Sequence, residues 1–304
     1  MRVALKFSIV IATRDRADFL DAALASLATQ RDGPTFEVVV VDNGSKDTTA
    51  RVVERYANAY RAADGPSFET HYVFASEPNR GAARNAGIAA ATGDIVAFVD
   101  DDVVLPERFL FAHARAHARS RGVAVSGPIL NVPTAIRRPR PGPANYSGAF
   151  FCTCNVSVAR AALDAVGGFD ERFKLYGWED TELGLRLRRS GIRRAFAWDA
   201  YLWHIKPQAV ETLEVVLAKT IERAQMAGLL LCKDASLRTK LATGAYGFNL
   251  VRSALLAPPW SLPFFRSVAT NERVPAALRG FARAQLLDGS YTRALRAAIA
   301  ERRA

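Results

Sequence analysis

The fold is decided around residues 93–102, which read Gly93-Asp94-Ile95-Val96-Ala97-Phe98-Val99-Asp100-Asp101-Asp102. The apolar run at 95–99 is typical of a strand buried on both faces of a parallel sheet. Three carboxylates follow it, and buried neighbouring carboxylates repel one another unless a positive group compensates them. A divalent cation such as Mg²⁺ or Mn²⁺ suits such oxygen ligands, and open α/β sheets bind ligands at this edge. The alternative is a solvated acidic turn, or the N-cap of a helix beginning near residues 105–107.

The composition is that of a globular protein with a strong basic excess. The chain has 304 residues, of which 50% are hydrophobic, and a net charge of +11. This length permits one or two domains. Basic excess suits polyphosphate ligands, nucleic acid or an anionic membrane, but no zinc-finger spacing or aromatic RNA-binding signature is present, so nucleic acid is disfavoured. Three unevenly spaced cysteines and the lack of a signal-peptide pattern predict a cytoplasmic protein without a disulfide framework.

Strand and helix patterns alternate along the first hundred residues. Strands are predicted over 7–12, 37–41, 71–74 and 95–99, and helices over 17–27, around 52–56 and over 81–91. This regular alternation predicts an α/β fold with a parallel, doubly wound sheet.

Polar side chains follow each predicted strand, at the end where parallel strands share one edge. Thr13-Arg14 follows the first strand, Asp42 the second, Asn79-Arg80 and Arg84 the third, and the aspartates the fourth. Arginine binds phosphate with two hydrogen bonds, and a carboxylate can hold a base edge or a ribose hydroxyl. The combination suits a nucleoside diphosphate bridged by a metal. Neither a Gly-x-Gly-x-x-Gly turn nor a P-loop is present, which disfavours a dinucleotide dehydrogenase and a P-loop NTPase.

A second acidic cluster, Trp178-Glu179-Asp180-Thr181-Glu182, opens another predicted helix. Acids at a helix N-terminus are favoured by the helix dipole, so capping is one interpretation. The other is that tryptophan stacks on a sugar ring while a carboxylate takes a proton from its hydroxyl. His204 follows a predicted strand over 195–202, where a lone histidine is more often structural.

The segments between the two acidic clusters carry weaker signals. A strand is predicted over 123–129, and the Pro- and Arg-rich stretch 131–147 is either a solvated connector or a lid over an anionic donor. An extended segment over 148–155 would put Cys152 and Cys154 on one strand face, where small core residues are favoured over a metal site. His113 and His117, four residues apart on an Arg-rich helix, are expected to be exposed.

Taken in order, these motifs resemble family 2 glycosyltransferases of the GT-A fold over roughly residues 5–205. The matching segments are 8–16, 38–45, 79–85, 93–102, 167–171 and 177–180. The last segment is also similar to galactosyltransferase-like domains, in which a Gly-Trp-Glu-Asp motif precedes a metal-binding histidine.

The resemblance implies an inverting displacement at the anomeric carbon of a nucleotide sugar, a UDP-sugar being favoured. A bound Mn²⁺ or Mg²⁺ would stabilise the departing diphosphate, and a general base would activate the acceptor hydroxyl. The implied roles are base and ribose binding for Thr13, Arg14 and Asp42; nucleotide or diphosphate binding for Arg80 and Arg84; metal binding for Asp100, Asp102 and His204; ribose or donor-sugar binding for Asp101; catalysis for the base Asp180 with Glu179; and acceptor binding for Trp178 and Glu179.

The chain beyond residue 206 falls outside the resemblance. We predict a catalytic domain over 1–206 and a helical extension over 207–304, with a long helix over 210–232. The apolar stretch 241–265 contains Asn249, Arg252 and a proline break, so it does not provide the run of about 20 apolar residues that spans a bilayer. A membrane-surface region and a helical cap on the catalytic domain are both open interpretations. The acceptor is accordingly expected to be a saccharide or a lipid-linked molecule, with possible peripheral contact at the inner membrane face.

Two rival functions remain open at this point. A nucleotidyltransferase also combines an α/β nucleotide fold with acidic metal ligands, but it would leave residues 178–180 unexplained and lacks its usual Gly-rich signature here. A catalytically inactive nucleotide-sugar-binding module is the non-enzymatic rival, and the intact Asp100, Asp102 and Asp180 argue against it.

Overall fold

The computed structural model of the protein describes residues 5–57, 60–61, 67–76, 79–134, 136, 138–206 and 211–302. The chain divides into two compact units, Met1–Arg172 with Glu179–Gln208, and Phe173–Trp178 with Ala209–Ala304. The short stretch Phe173–Trp178, which precedes the predicted domain boundary, thus groups with the second unit.

The first unit contains two sheets within its described residues. The strands are β1 Phe7–Thr13, β2 Phe36–Asp42, β3 Tyr60–Arg61, β4 Ser67–Phe74, β5 Ile95–Val99, β6 Val103–Val104, β7 Val123–Ser126, β8 Ile129–Val132, β9 Asn155–Ala159, β10 Arg193–Phe196 and β11 Leu202–Ile205. The larger sheet has the order β10-β7-β9-β5-β1-β2-β4-β3, and the smaller one the order β6-β11-β8. Strands β4, β2, β1 and β5 run parallel, whereas β9 is antiparallel to both neighbours. The mostly parallel α/β sheet predicted from the sequence is confirmed.

Helices connect the strands of the first unit and pack on its sheet. They are α1 Ala17–Leu27, α2 Thr49–Tyr56, α3 Arg80–Ala90, α4 Phe109–Arg119, α5 Arg160–Val166 and α6 Glu179–Arg189. Two apolar clusters form on alternate residues of the strands, one around Ile9 and Leu24 and the other around Val10 and Phe98. Burial of each such large apolar side chain contributes about 1.5–3 kcal/mol. Every residue of β2 and β5 is buried, as expected for central strands covered on both faces.

The register of the central strands positions the candidate site. Thr13 at the end of β1 pairs with Asp42 at the end of β2. Strand β5 lies on the other side of β1 and runs parallel to it, ending at Val99 directly before the aspartates. The polar groups predicted at the carboxyl ends of the first, second and fourth strands therefore do share one edge of the sheet.

Several predicted strands have different bounds in the structure. The segment predicted as one strand over 123–129 forms two strands, β7 and β8, which Gly127 and Pro128 separate. The chain packs closely at this break, since a Cβ at Gly127 would lie 1.9 Å from the Ala200 carbonyl oxygen. The strand predicted over 195–202 is also wrong, since β10 ends at 196 and β11 begins at 202, which places His204 inside a strand. Strand β4 begins at 67, four residues before its predicted start. The stretch 131–147 contains the end of β8 and a single 3₁₀ turn, Pro143–Asn145; Arg137 lies outside the described residues.

The prediction that His113 and His117 are exposed is wrong. His113 has no exposed surface and bonds Ser157 Oγ and Asn155 Oδ1, while His117 bonds the same serine hydroxyl at 2.8 Å. Burial lowers the pKa of His113 to about 3 and that of His117 to about 4. The helix face was misassigned because its buried partners are supplied by β9, about 40 residues further along the chain.

The second unit is helical over its described residues. It contains α7 Leu213–Lys233, α8 Leu237–Thr243, α9 Gly247–Leu256, α10 Leu262–Thr270 and α11 Ala276–Glu301. Close packing of α7 on α11 depends on Gly228, where a Cβ would lie 2.6 Å from the Ala298 Cβ. The predicted start of α7 at residue 210 lies outside the described residues. Among the described helices, none has the combination of length and apolar composition required to cross a bilayer.

Candidate active site

The carboxylate triplet after β5 is held by side chains from the loop between β1 and α1. Arg16 NH1 donates to Asp101 Oδ1 at 3.1 Å and to Asp102 Oδ2 at 2.8 Å, and Thr13 Oγ1 donates to Asp101 Oδ2 at 2.8 Å. Burial raises the pKa of Asp101 to about 6, although Arg16 opposes the shift. Helix α4 begins only at Phe109, with Arg108 as its N-cap, so the alternative in which the triplet caps this helix is wrong.

His204 faces the last carboxylate of the triplet. Its Nδ1 lies 3.0 Å from Asn131 Oδ1, and its Nε2 lies 3.0 Å from Asp102 Oδ1. Because the amide oxygen only accepts, Nδ1 is the nitrogen that donates to Asn131, and Nε2 is the nitrogen that faces Asp102. Asp102 Oδ1 is buried and accepts no hydrogen bond of good geometry from the described residues. His204 and Arg16 lower the pKa of Asp102 against the opposing effect of burial.

This arrangement fits a divalent cation. His204 Nε2 and Asp102 Oδ1 lie 3.0 Å apart, and both atoms can donate a lone pair to a shared cation. Asp100 joins them, since a ligand atom of His204 and one of Asp100 lie within 4.8 Å of each other. The cluster thus offers the buried Oδ1 of Asp102, the Nε2 of His204 and the carboxylate of Asp100. This set of oxygen and nitrogen ligands suits Mn²⁺.

Cys154 lies beside Asp100 and His204 in this cluster, whereas a small core residue was the favoured interpretation of this cysteine. Its Sγ lies within 4.8 Å of the ligand atoms of both Asp100 and His204, and its thiol donates to Asp100. Burial and the nearby Asp100 carboxylate raise the pKa of the Cys154 thiol well above its usual range. The predicted strand over 148–155 is wrong, because β9 begins only at Asn155, so Cys152 and Cys154 do not share a strand face.

Arg84 connects the triplet to the second acidic cluster. Its guanidinium donates to Glu179 Oε1 at 3.0 Å and lies 3.8 Å from Asp100 Oδ1, with 11% of its side chain exposed. Glu179 is 6% exposed, and its Oε2 is buried without a hydrogen bond from the described residues. Arg84 therefore neutralises two carboxylates of the site.

Asp180 occupies the first turn of α6 beside Glu179. Its Oδ1 accepts the Thr181 backbone N–H at 2.6 Å, so the side chain also caps the helix, as the capping interpretation requires. Burial, together with the Glu179 carboxylate, raises the pKa of Asp180 to about 6. The pKa of Cys152 rises to about 11 through burial and through the nearby Asp180 and Asp100 carboxylates. Arg84, whose guanidinium lies 3.0 Å from Glu179 and 3.8 Å from Asp100, places the two acidic clusters in the same site.

The remaining residues with predicted donor roles differ in accessibility. Asp42 is 2% exposed and accepts from the Ser45 N–H and the Tyr72 hydroxyl, both at 2.7 Å. Arg14 is half exposed at the end of β1, and Arg80 is exposed at the start of α3. The structure therefore brings Asp42 to the predicted sheet edge and leaves the two arginines at the surface.

Trp178 belongs to the second compact unit. Its ring is 8% exposed, Nε1 donates to the Arg223 carbonyl at 2.9 Å, and the Arg223 guanidinium lies 5.1 Å from the ring centroid. Its backbone has φ +74°, a conformation that non-glycine residues rarely adopt. The ring is thus enclosed in its own unit and not presented as an open stacking face.

For two residues with evident roles, Arg16 and Asn131, the sequence motifs indicate no function. Arg16 stands two residues beyond Arg14 in the same polar segment, so the signal was available. Asn131 meets His204 only through the pairing of β8 with β11, 73 residues apart, for which the sequence has no local signal. A cavity of about 910 Å³ lined by Arg108, Arg138, Trp203 and others includes none of the site carboxylates. The convergence of polar groups therefore locates the site, and cavity size does not.

The architecture is that of the GT-A fold, which solved structures of glycosyltransferases share. A mannosyltransferase from Pyrobaculum calidifontis, in complex with GDP-Man and Mn²⁺, matches with a TM-score of 0.62 and 22% identity, over 100% of this chain and 89% of that one. Residues 1–349 of TarS from S. aureus, in complex with UDP-GlcNAc, match with a TM-score of 0.58 and 21% identity, over 96% of this chain and 91% of that one. The predicted GT-A fold is confirmed.

The sequence comparison then gives the family. Residues 8–159, half of the chain, match the model of glycosyl transferase family 2, so the protein belongs to this family of glycosyltransferases. Residues 140–222 match a second model, described as the N-terminal domain of galactosyltransferase. The family resemblance inferred from the motifs is confirmed.

Characterised relatives share only part of their length with this protein. Validoxylamine A glucosyltransferase of Streptomyces hygroscopicus subsp. limoneus is 32% identical over 61% of this chain and 48% of its own. Chondroitin synthase of Pasteurella multocida is 25% identical over 67% of this chain and 25% of its own. The chain spans about half the length of the two validoxylamine A glucosyltransferases that it matches.

Proposed function

We propose that the protein is a metal-dependent, inverting glycosyltransferase that moves a sugar from a nucleoside diphosphate sugar to an acceptor hydroxyl. The observation that carries the proposal is the unsatisfied Asp102 Oδ1 facing His204 at the sheet edge, next to a second carboxylate pair in the same site. The UDP-GlcNAc and GDP-Man complexes of proteins with the same fold support a nucleotide-sugar donor. We favour a UDP-sugar.

Asp100, Asp102 and His204 would hold Mn²⁺ or Mg²⁺. When bound, the cation supplies neutralisation of the diphosphate leaving group. Arg16 already neutralises part of the triplet, and its second contact with Asp102 can be exchanged while the contact with buried Asp101 is kept. Asp42, Thr13 and Asp101 line the edge where base and ribose would bind, and the exposed Arg14 and Arg80 are suited to contact phosphate.

Asp180 would take the proton of the acceptor hydroxyl while Glu179 holds the acceptor through its unbonded Oε2. In the single displacement the acceptor oxygen bonds to the anomeric carbon, the bond from that carbon to the diphosphate oxygen breaks, and the electron pair leaves with the diphosphate. A pKa of about 6 keeps Asp180 mainly ionised at neutral pH and more basic than an ordinary aspartate. Direct attack from the opposite side inverts the configuration of the carbon.

Calorimetric titration tests the donor site. UDP, GDP and dTDP are titrated into wild type and Asp102→Ala, with and without Mn²⁺, and Asp164→Ala on the exposed face of α5 serves as the matched control. We expect one nucleotide to bind only with Mn²⁺, to bind the control equally well, and to lose affinity at least tenfold in Asp102→Ala. Metal-independent binding, or none, contradicts the assignment.

The product that is released distinguishes a glycosyltransferase from a nucleotidyltransferase and from a binding module. A glycosyltransferase releases nucleoside diphosphate in the presence of an acceptor, whereas a nucleotidyltransferase releases pyrophosphate from a nucleoside triphosphate. A binding module releases neither. The buried carboxylate pair Glu179 and Asp180, together with the lack of a Gly-rich triphosphate-binding motif in the sequence, favours the first.

The second unit offers a surface suited to the peripheral membrane contact predicted from the sequence. Phe248 is 76% exposed, Leu255 75%, Trp260 82% and Phe264 63%, an exposed fraction that is unusual for side chains of this size. Residues 237–285 also contain seven lysines and arginines against one acidic residue. Apolar side chains with surrounding basic charge suit an anionic lipid surface, and such a location would suit a lipid-linked acceptor.

Vesicle sedimentation tests this contact. We expect the protein to sediment with vesicles containing phosphatidylglycerol but weakly with pure phosphatidylcholine. Trp260→Glu should reduce binding by tenfold or more, since burying a large apolar side chain contributes about 1.5–3 kcal/mol. Trp198→Glu, which alters a half-exposed tryptophan of the first unit, should leave binding unchanged. Equal binding by both variants and wild type contradicts the proposal.

A further inference from the structure

We propose that Asp100, Cys154 and His204 form a sulfur-containing cation site that binds a thiophilic divalent metal, Zn²⁺ or Co²⁺. The proposal shares Asp100 and His204 with the donor-metal site of the proposed function, but the added ligand changes which metals the site selects. It does not require that a nucleotide sugar bind.

The three side chains come from separate parts of the fold and meet at one point. Asp100 follows β5, Cys154 directly precedes β9, and His204 lies in β11. Their ligand atoms all lie within 4.8 Å of one another. Ligands about 2.0–2.3 Å from a tetrahedral zinc are separated by about 3.5 Å. Side-chain rotations that draw each atom inward by less than 1 Å therefore complete the site.

The orientation of each ligand favours a metal. His204 is fixed by Asn131, whose Oδ1 accepts from Nδ1, so Nε2 is the nitrogen available for coordination. The Cys154 thiol already points at the Asp100 carboxylate. Cys154 is 7% exposed, which keeps competing water away from the sulfur.

The sulfur decides the class of metal. Thiolate ligands select Zn²⁺ and related soft or borderline cations, whereas Mg²⁺ and Mn²⁺ prefer oxygen. On binding, the Cys154 S–H bond breaks, the proton passes to solvent, and the sulfur–metal bond forms. Asp100, which loses the thiol hydrogen bond in this step, gains the metal in its place. Three protein ligands leave a fourth position open, as in catalytic zinc sites.

A second possible cation-binding cluster of the chain lacks a sulfur ligand and can be compared with the proposed site. Glu37, Glu69 and His71 also lie within 4.8 Å of one another, but they offer only oxygen and nitrogen. Glu37 is already satisfied there, since hydrogen bonds from Lys6, Ser8 and Thr92 lower its pKa to about 2 despite its burial. A zinc ion at that cluster would have no sulfur ligand, so sulfur coordination identifies the proposed site.

Cobalt titration of the full chain is the first experiment. Co²⁺ is added to wild type, Cys154→Ser, Cys152→Ser and Cys232→Ser, and the sulfur-to-cobalt charge-transfer band in the near ultraviolet is recorded. We expect one equivalent of Co²⁺ to produce the band in wild type and in the Cys152 and Cys232 variants, but not in Cys154→Ser. Excess Zn²⁺ should abolish it. A band that is absent from wild type, or that survives in Cys154→Ser, overturns the proposal.

X-ray absorption of zinc-loaded wild type decides the question if Cys154→Ser fails to fold. We expect one sulfur at about 2.3 Å, with nitrogen and oxygen ligands at about 2.0 Å. A zinc shell without sulfur overturns the proposal. The two proposals fail independently, because Mn²⁺-dependent nucleotide binding without a sulfur ligand leaves the proposed function standing, and the reverse result leaves only the sulfur site.

Discussion

Replacing Asp180 by asparagine should separate its two roles, in catalysis and in capping α6. Asparagine keeps an oxygen that can accept the Thr181 N–H, so the hydrogen bond of 2.6 Å has a substitute. The variant loses only the charge at the helix N-terminus, which contributes about 0.3–1 kcal/mol. It cannot take a proton from a hydroxyl. We therefore expect turnover to fall by about 10²–10⁴-fold.

Asp180→Asn should lower turnover but raise the stability of the fold at neutral pH. Burial raises the pKa of Asp180 to about 6 from its ordinary value of 3.8. A raised folded-state pKa means that ionisation destabilises the fold, by up to about 3 kcal/mol at neutral pH given 1.36 kcal/mol per unit. This penalty is absent below about pH 4 and develops fully by about pH 6. Asp180→Asn should therefore be as stable as wild type at pH 4 and more stable at pH 7, despite the lost charge at the helix end.

The assay is release of nucleoside diphosphate with the donor identified by titration, together with thermal unfolding at pH 4 and pH 7. Below about pH 6, wild-type kcat/KM should fall tenfold per pH unit, whereas any residual activity of Asp180→Asn should lack that decline. Donor affinity should stay within threefold, and Asp164→Asn on α5 should resemble wild type. Turnover within threefold of wild type, or a clear loss of stability at pH 7, would refute the reasoning and leave Asp180 as a helix cap.

Two further predictions concern stability. Burial lowers the pKa of His113 to about 3 and that of His117 to about 4. Below pH 6.5 the unfolded chain therefore binds more protons than the folded protein does. As the pH falls from 6 to 4.5, the free energy of unfolding should fall by about 1.4 kcal/mol per pH unit for each histidine. His117→Gln should reduce that slope by one proton in urea titrations, and an unchanged slope would contradict the burial. Gly127→Ala should destabilise the protein by about 3 kcal/mol or more, because the new Cβ would lie 1.9 Å from the Ala200 carbonyl oxygen. Gly142→Ala is the control: no atom lies within 4 Å of its Cβ position, so stability should change by less than about 0.5 kcal/mol. Equal effects of the two glycine substitutions on the urea midpoint would show that the backbone contact does not constrain the fold.

The half of the site nearest β1, β2 and β5 could be predicted from the sequence because its geometry is local. Each buried strand is recognisable from its apolar run, and parallel strands necessarily end at the same edge. Thr13, Asp42 and Asp100 follow from those two facts alone. The central sheet was predictable for the same reason.

The remainder depends on contacts between distant segments, for which periodicity carries no signal. His113 lies on an Arg-rich helix that reads as exposed, yet it is buried because β9 supplies Asn155 and Ser157 as hydrogen-bonding partners. Cys154 reads as a small core residue, and it does join the core, but the same position also brings its sulfur to Asp100 and His204. The residue type alone does not predict that His113 is buried or that Cys154 lies beside Asp100 and His204. Both positions depend on side chains from distant segments of the chain.

The three aspartates of the triplet have different partners. Arg16 contacts both Asp101 and Asp102, but the other partners of these two carboxylates differ. Asp100 and Asp102 both approach His204, whereas Asp101 between them is buried against Thr13 and Arg16. The middle carboxylate therefore anchors the loop after β1, and in the proposed function the flanking two bind the cation. Asp101→Asn should consequently weaken Mn²⁺ binding less than Asp102→Ala does, a contrast that Mn²⁺ titration of the two variants measures directly.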